Sequence, residues 1–145
     1  MEKSFVPQLA FDLLRQAEQH YNESGTFEDK DLEVLHSCFG EPFLLAAELL
    51  DKCRIIDYKL DGGLRNVYKI VSSKEQYTIL DNINFCNCNV FRLQVLESRK
   101  AITCKHVLAV KLGIITGKVR LETVTGSQLV DFLNEQLNVL EASND

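Results

Sequence analysis

The chain has 145 residues, a length that fits one domain or one core with a small added module. Its apolar fraction of 46% is enough for a buried core, and its five cysteines, with no signal peptide at the N-terminus, indicate a reducing intracellular compartment rather than a disulfide scaffold. The longest apolar run, residues 43–47, is far short of the roughly 20 residues that span a membrane, so no membrane association is expected.

The N-terminal third predicts two or three packed helices. Apolar residues recur at helical spacing over 7–21, and Pro7 suits the first turn because its missing N–H is no loss there. A second short helix over about 32–39 is followed by Gly40, which is placed to cap its end. Pro42 is placed to open a third helix.

The hydrophobic period changes after residue 52 and predicts strands. Two runs of β-branched and aromatic residues, 54–60 and 64–71, flank Asp61-Gly62-Gly63. This is a strong hairpin signal because glycine adopts positive φ freely. Residues 77–80 predict a third strand leading into a pair of cysteines. We therefore expect a small antiparallel sheet.

Three further helices are expected. Residues 89–96 predict a short helix, and residues 107–115 a longer one for which Gly117 is a plausible stop. Residues 127–140 predict an amphipathic helix with Thr125 or Ser127 as its N-cap.

The last of these helices carries an apolar stripe of Leu129, Phe132, Leu133, Leu137 and Leu140. A chain of this size need not bury the stripe by itself. The stripe is therefore either part of the core or a surface that binds a partner protein, and the sequence leaves both interpretations open.

Four residues form a metal-ligand pattern. Cys86 and Cys88 make a C-x-C pair, and Cys104 and His106 make a C-x-H pair after fifteen intervening residues. Three thiolates and one imidazole suit a closed tetrahedral Zn²⁺ site. Positions two apart on a strand face the same side, but on a helix they diverge, so Cys104 should lie at or just before a helix start. We predict one structural zinc per chain.

Other interpretations of these residue types are weaker. An iron–sulfur cluster with three cysteines and one histidine is less common than zinc, and C-x-H spacing suits a shared metal better than a thiol beside its general base. Cys38 and Cys53 are interpreted as small buried hydrophobes, and His20 and His36 as surface or boundary residues with no suitably spaced partners. The sequence shows no phosphate-binding loop and no catalytic triad, so no enzyme activity is predicted.

Charge is distributed unevenly along the chain. Residues 1–51 carry three Lys/Arg against eleven Asp/Glu, and residues 121–145 carry five acids and no Lys or Arg. Residues 86–120 have one acid, Glu97, against seven basic residues: Arg92, Arg99, Lys100, Lys105, Lys111, Lys118 and Arg120. These seven are the candidates for nucleic-acid binding, because the basic field coincides with the metal ligands.

The ligand pattern, with a strand before it and a helix after Cys104-Lys105-His106, resembles the SWIM zinc finger family. The likeness extends to the segments 85–96 and 102–109 and, upstream, to 39–51 and 67–73. Across roughly residues 35–115 the chain resembles the SWIM-domain subunits of Shu complexes in homologous recombination.

This resemblance implies a non-catalytic nuclear subunit with one structural Zn²⁺ held by the four ligands. It implies a heterodimer with a RecA-like recombinase paralogue that binds single-stranded or branched DNA and assists recombinase filament assembly, with no small-molecule substrate. An alternative is a protein-interaction zinc module that acts as an adaptor without DNA. A metal-dependent hydrolase is more remote, since it would need an open coordination position.

The expected fold is α+β, with N-terminal helices, a small antiparallel sheet, a zinc module and a C-terminal amphipathic helix. We divide the chain into a helical segment at 1–52, the hairpin and zinc finger at 53–120, and the C-terminal helix at 121–145.

Overall fold

A computed structural model of the chain describes residues 2–60, 66–80, 84–125, 127, 128, 130, 131 and 134. The described helices and strands are, in chain order, α1 (Glu2–Ser24), α2 (Asp29–Phe39), α3 (Glu41–Lys52), β1 (Arg54–Leu60), β2 (Asn66–Val71), β3 (Gln76–Leu80), a π-helix (Phe91–Glu97), α4 (Lys105–Thr116) and β4 (Val119–Val124). The predicted α+β class is confirmed. Among the described residues, no helix is both long and apolar enough to cross a bilayer.

The three N-terminal helices form as expected, with one difference at α1. This helix begins at Glu2, so Pro7 lies in its second turn and not in its first. A proline so close to the N-terminus removes only one backbone hydrogen bond, which the rest of a 23-residue helix tolerates. Gly40, at φ 74°, ends α2 and donates its N–H to the His36 carbonyl at 2.8 Å, and Pro42 lies in the first turn of α3.

The sheet has the strand order β3-β2-β1-β4 and is mixed. β1, β2 and β3 pair antiparallel, as predicted. β4 adds to the outer side of β1 in parallel, with Ile55 opposite Val119. This strand is not among the predicted elements, because its alternation of apolar and charged residues was counted only as part of the charge pattern. The residues of the expected hairpin turn, Asp61-Gly62-Gly63, lie outside the described part of the chain.

α4 lies at the centre of the core, against α3 and the sheet. Its buried residues include Val107, Leu108, Ala109 and Leu112. Gly113 permits a close approach to the sheet, since a Cβ at this position would lie 3.0 Å from Ile55 Cδ1 and 3.2 Å from Val119 Cγ2. The helix stops at Gly117, which takes the left-handed conformation, as the sequence predicts.

The short helix expected over 89–96 is a π-helix over Phe91–Glu97 and not an α-helix. The Ser98 N–H donates to the Leu93 carbonyl at 3.0 Å, an i→i−5 bond. Phe91 is almost fully buried, and its N–H donates to the Cys88 sulfur at 3.3 Å. The start of the π-helix is therefore held by a hydrogen bond to Cys88, one of the predicted metal ligands. The helical periodicity of the sequence does not predict such a contact.

The C-terminal segment is described only in part. Residues 127, 128, 130, 131 and 134 are helical. Thr125 and Gln128 form a reciprocal capping box, with the Gln128 N–H donating to Thr125 Oγ1 at 3.3 Å and the Thr125 N–H to Gln128 Oε1 at 3.0 Å. The stripe residues Leu129, Phe132, Leu133, Leu137 and Leu140 lie outside the described residues. The three-part division of the chain stays a prediction, and β4 lies across its boundary at 120/121.

Candidate metal centre

Two structural elements bring the four ligand residues together. Cys86 forms an isolated antiparallel bridge with Ile79 of β3, so it is held in extended backbone beside the sheet. Cys88 follows two residues later, and its carbonyl accepts the Arg92 N–H at 3.2 Å. Cys104 is the N-cap of α4, in extended conformation, and His106 lies in the first turn. This is the placement that the C-x-H spacing requires.

The ligand atoms of Cys86, Cys88, Cys104 and His106 all lie within 4.8 Å of one another, and all four residues are buried. His106 Nδ1 is 3.7 Å from Cys86 Sγ and 3.8 Å from Cys104 Sγ. Zn–S bonds of about 2.3 Å and Zn–N bonds of about 2.0 Å in a tetrahedron separate the ligand atoms by about 3.5–3.8 Å. The cluster thus fits one zinc ion, with Nδ1 as the imidazole ligand atom.

The chemistry of the donor set also fits a cation. Hydrogen bonding with Cys104 and Cys88, followed by burial, raises the pKa of the Cys86 thiol far above its usual range, and hydrogen bonds from Cys104 and Cys86 lower the pKa of Cys88. For Cys104 the hydrogen bond from Cys86 lowers the pKa, but Cys88 and burial outweigh it and raise the value to about 12. Three thiolates in one buried pocket are ionised together only when a cation shares their charge.

An aromatic ring restrains the imidazole. The Tyr77 ring stacks on His106 with centroids 4.0 Å apart and planes inclined by 29°. Burial, together with a hydrogen bond to Glu75, raises the pKa of Tyr77 to about 12, so the phenol is neutral beside the thiolates. The sequence predicts Tyr77 only as a strand residue and gives no sign of this contact.

Two asparagines tie the ligand-bearing loops to their surroundings. Asn87, between the first two cysteines, accepts the Thr78 N–H on β3 at 2.9 Å. Asn84 accepts the Thr103 hydroxyl at 2.6 Å and donates to the Ile102 carbonyl at 2.9 Å, linking the approach to Cys86 with the approach to Cys104. The closeness of these asparagines to Cys86 and Cys88 in the sequence was the available signal that they support the ligand-bearing loops.

The seven basic residues do not form one unpaired patch. Arg92 pairs with Glu97 at 3.5 Å, Lys118 with Asp51 at 3.3 Å, and Arg120 with Glu122 at 3.7 Å. The Lys111 ammonium lies 5.2 Å from the centroid of the Phe11 ring.

Arg99, Lys100 and Lys105 form no ion pair with any residue that the structure describes. Arg99 and Lys100 are exposed in the loop before Cys104, and Lys105 is the first residue of α4. Of the seven basic residues, these three are the ones near the metal ligands whose charge is not paired with a described residue.

His20, Glu28 and Asp31 form a second, more exposed cluster where α1 meets α2. His20 Nδ1 lies 2.9 Å from both Asp31 oxygens. The expectation that His20 has no partner is therefore wrong, because the helical hairpin brings together residues eleven apart that no local pattern pairs. This contact is explained as an ion pair between helices.

Comparison with known proteins agrees with the centre's geometry. The SWIM zinc finger family matches residues 74–112, a span that contains all four ligands. The chain is 32% identical over 129 residues to Zinc finger SWIM domain-containing protein 7 of Homo sapiens. The aligned residues cover 88% of this chain and 91% of that protein. Proteins of the same name from Mus musculus and Danio rerio are 29% and 28% identical, over 90% and 92% of this chain and 86% and 95% of their own lengths. No solved structure matches the chain.

Proposed function

Because this chain belongs to the family of Zinc finger SWIM domain-containing protein 7, we propose that it is the non-catalytic zinc-binding subunit of a Shu-type complex. In this proposal it forms a heterodimer in the nucleus with a RecA-like recombinase paralogue, and the pair promotes recombinase filament assembly in homologous recombination repair. The observation that carries the proposal is the closed, buried set Cys86, Cys88, Cys104 and His106, which uses all four positions of a tetrahedral zinc.

Such a zinc ion contributes folding free energy and no chemistry on a substrate. It joins the strand-side loop at Cys86 to the start of α4 at Cys104. A rigid module of this kind is suited to presenting a surface to a partner. In the proposed complex, the RecA-like subunit supplies nucleotide binding, and the present chain supplies contacts to that subunit and to DNA.

The first experiment is purification of a tagged chain from its own cells, followed by identification of proteins present in stoichiometric amount. A RecA-like ATPase in the purified complex supports the Shu-type assignment. A monomer that brings no ATPase, or a chain that hydrolyses ATP by itself, contradicts the assignment.

We further propose that the complex contacts DNA phosphates through the basic region of residues 92–120, with Lys105 as the test position. Each phosphate contact lowers the logarithm of affinity by about 0.9 per logarithmic unit of salt on duplex DNA and about 0.7 on single strands. Lys105→Glu should weaken binding of labelled DNA by the complex and reduce the salt slope by about one contact. An acidic residue is favourable at the start of α4, so the change should not destabilise the helix.

The matched control is Lys74→Glu, which reverses an exposed lysine outside this region. Equal salt slopes for the wild-type complex and the Lys105 variant would remove Lys105 from the DNA surface. One observation favours the alternative of a protein adaptor that does not bind DNA: four of the seven basic side chains are already engaged within the chain. A purified complex with no salt-dependent affinity for single-stranded, branched or duplex DNA would establish that alternative.

A further inference from the structure

The π-helix, its N-cap Val90 and the loop after it expose a group of side chains, here called the knuckle patch: Val90, Leu93, Leu96, Arg99 and Lys100. Val90 is 42% exposed, Leu93 46% and Leu96 51%. Scattered exposed leucines need no explanation, but three large aliphatic side chains within seven residues are a concentration that marks interaction surfaces.

The backbone beneath the knuckle patch is firmly held. Phe91 is 1% exposed, contacts the Phe85 ring with centroids 5.8 Å apart, and donates its N–H to Cys88 Sγ at 3.3 Å. At the other end the Ala101 N–H donates to the Gln94 carbonyl at 3.1 Å. The patch is thus attached to a ligand of the metal centre and precedes a second ligand, Cys104. A preorganised surface loses little conformational entropy on binding.

The charge beside the aliphatic side chains is positive. Arg99 and Lys100 are exposed and form no ion pair with any described residue, whereas Glu97, the one acid within residues 86–120, lies 3.5 Å from Arg92. Arg99 has φ 55°, an uncommon conformation for a residue with a side chain. Such conformations concentrate at functional sites.

We propose that the knuckle patch docks an acidic amphipathic helix of the partner protein. Apolar side chains of that helix would pack on Val90, Leu93 and Leu96, and its carboxylates would pair with Arg99 and Lys100. This inference rests on the proposed heterodimer and names the surface that holds it together. It also assigns Arg99 and Lys100, two of the seven candidates for phosphate contact, to carboxylates of the partner.

The side chains favour a protein over nucleic acid as the occupant. Proteins that hold single strands stack bases on aromatic rings. Here the nearby rings are already packed against other rings: the partly buried Phe85 contacts Phe91, and the partly buried Tyr77 stacks on His106. The exposed apolar residues of the patch are all aliphatic, as in grooves and ridges that bind helices.

The test compares Leu93→Ser/Leu96→Ser with Leu44→Ser, which removes an equally exposed leucine (51%) from α3. The affinity of each full-length variant for the purified RecA-like partner is measured by titration, together with zinc content and circular dichroism. The double variant should bind at least about tenfold more weakly, while the control changes less than about twofold. Zinc content and helicity should match the wild type in both.

A second measurement tests the two basic residues of the knuckle patch. Arg99→Glu/Lys100→Glu should weaken partner binding, and a zero-length carbodiimide should cross-link Lys100 to an Asp or Glu in the partner. We expect the linked residue to lie in a segment with apolar residues at i, i+3 and i+4. A cross-link to a segment without that spacing would overturn the proposal.

The outcomes separate this inference from the proposed function. Partner affinity that is unchanged in the leucine variant, with the wild-type complex intact, overturns the knuckle patch and leaves the Shu-type assignment standing. Loss of DNA affinity without loss of partner makes the patch a nucleic-acid surface instead. Loss of self-association alone makes it a contact between two copies of this chain. A wild-type chain that binds no RecA-like protein overturns both proposals.

Discussion

His106 reaches the thiolates through Nδ1, the ring nitrogen nearer the backbone. Its position in the first turn of α4, two residues after the N-cap Cys104, leaves only a short span between backbone and metal. The stacked Tyr77 ring limits rotation of the imidazole and so helps to keep Nδ1 directed at the thiolates. The centre therefore depends on backbone placement at the start of α4 as much as on ligand identity.

The first prediction at this scale concerns the ligands. Cys104→Ala should abolish stoichiometric zinc and unfold the module, because zinc-site binding free energies of about 10–16 kcal/mol in finger peptides match or exceed the whole stability of a typical domain. Elemental analysis and circular dichroism measure the two effects. Cys38→Ala, which changes a thiol outside the cluster, should keep one zinc per chain. Full metal content in the Cys104 variant would contradict the assigned ligand set.

The second residue-scale prediction concerns pH. The hydrogen bond with Asp31 raises the pKa of His20 above its ordinary value of 6.5. Protonation is therefore linked to folding, and the pair's contribution is fully present below the unfolded-state pKa and is lost as pH rises through the folded-state pKa. In His20→Gln, the free energy of unfolding should lose this decline on the alkaline side of 6.5.

Urea titrations across that range, on wild type and variant with zinc bound, measure the pH slope. His36→Gln is the control, since His36 lies on α2 outside the ion pair. If the wild type and His20→Gln show the same slope, the contact does not act through protonation of His20.

At the scale of single elements, the packing of α4 on the sheet is set by one missing side chain. Gly113 brings the helix against Ile55 of β1 and Val119 of β4, so it lies where the parallel strand joins the rest of the fold. A glycine inside a helix costs roughly 1 kcal/mol relative to alanine. The close approach it allows is the compensation for that cost.

Two substitutions at Gly113 should therefore distinguish the effect of helix propensity on stability from the effect of overpacking. Gly113→Val should destabilise the protein by about 1–3 kcal/mol, because a branched side chain would displace Ile55 Cδ1 and Val119 Cγ2. Gly113→Ala should be close to neutral, since its gain in propensity offsets a contact of 3.0 Å. Free energies of unfolding from urea titration measure both effects. A valine variant as stable as wild type would show that α4 can move away from the sheet.

The elements that sequence predicts best are those with a local signal. Gly40 and Gly117 end α2 and α4 where expected, because a glycine after an apolar helical period is a local stop. The π-helix was predicted only as a short helix, since the apolar spacing of residues 89–96 does not distinguish an α-helix from a π-helix, and the bond from the Phe91 N–H to Cys88 is not visible in that spacing. β4 was missed because its alternation of apolar and charged residues is short and was counted only as a charge pattern, and because its partner, β1, is far away in sequence.

At the scale of the whole molecule, the candidate site shows the same contrast between features that have a local sequence signal and features that lack one. The four ligands were predicted, since metal coordination restricts both residue type and spacing. The pairing of surface charges has no such local signal: Lys118 pairs with Asp51 across 67 residues, a contact that charge counting along the chain does not predict. The basic composition of residues 86–120 therefore overstates their free positive charge. Of these seven basic residues, Arg99, Lys100 and Lys105 are the ones that form no ion pair or ring contact with a residue that the structure describes.

The parallel pairing of β1 with β4 has a consequence for how the protein is made. Ile55 on β1 cannot pair with β4 until Val119 has been synthesised. During synthesis, β2, β3, all four metal ligands and α4 therefore leave the ribosome before the sheet is complete. Zinc can then be bound while the outer edge of β1 still presents unpaired N–H and C=O groups, a template for pairing with another chain. We expect chains truncated between residues 116 and 119, after α4 and before β4, to be metal-loaded yet prone to co-aggregation, and chains that include β4 to be free of that hazard.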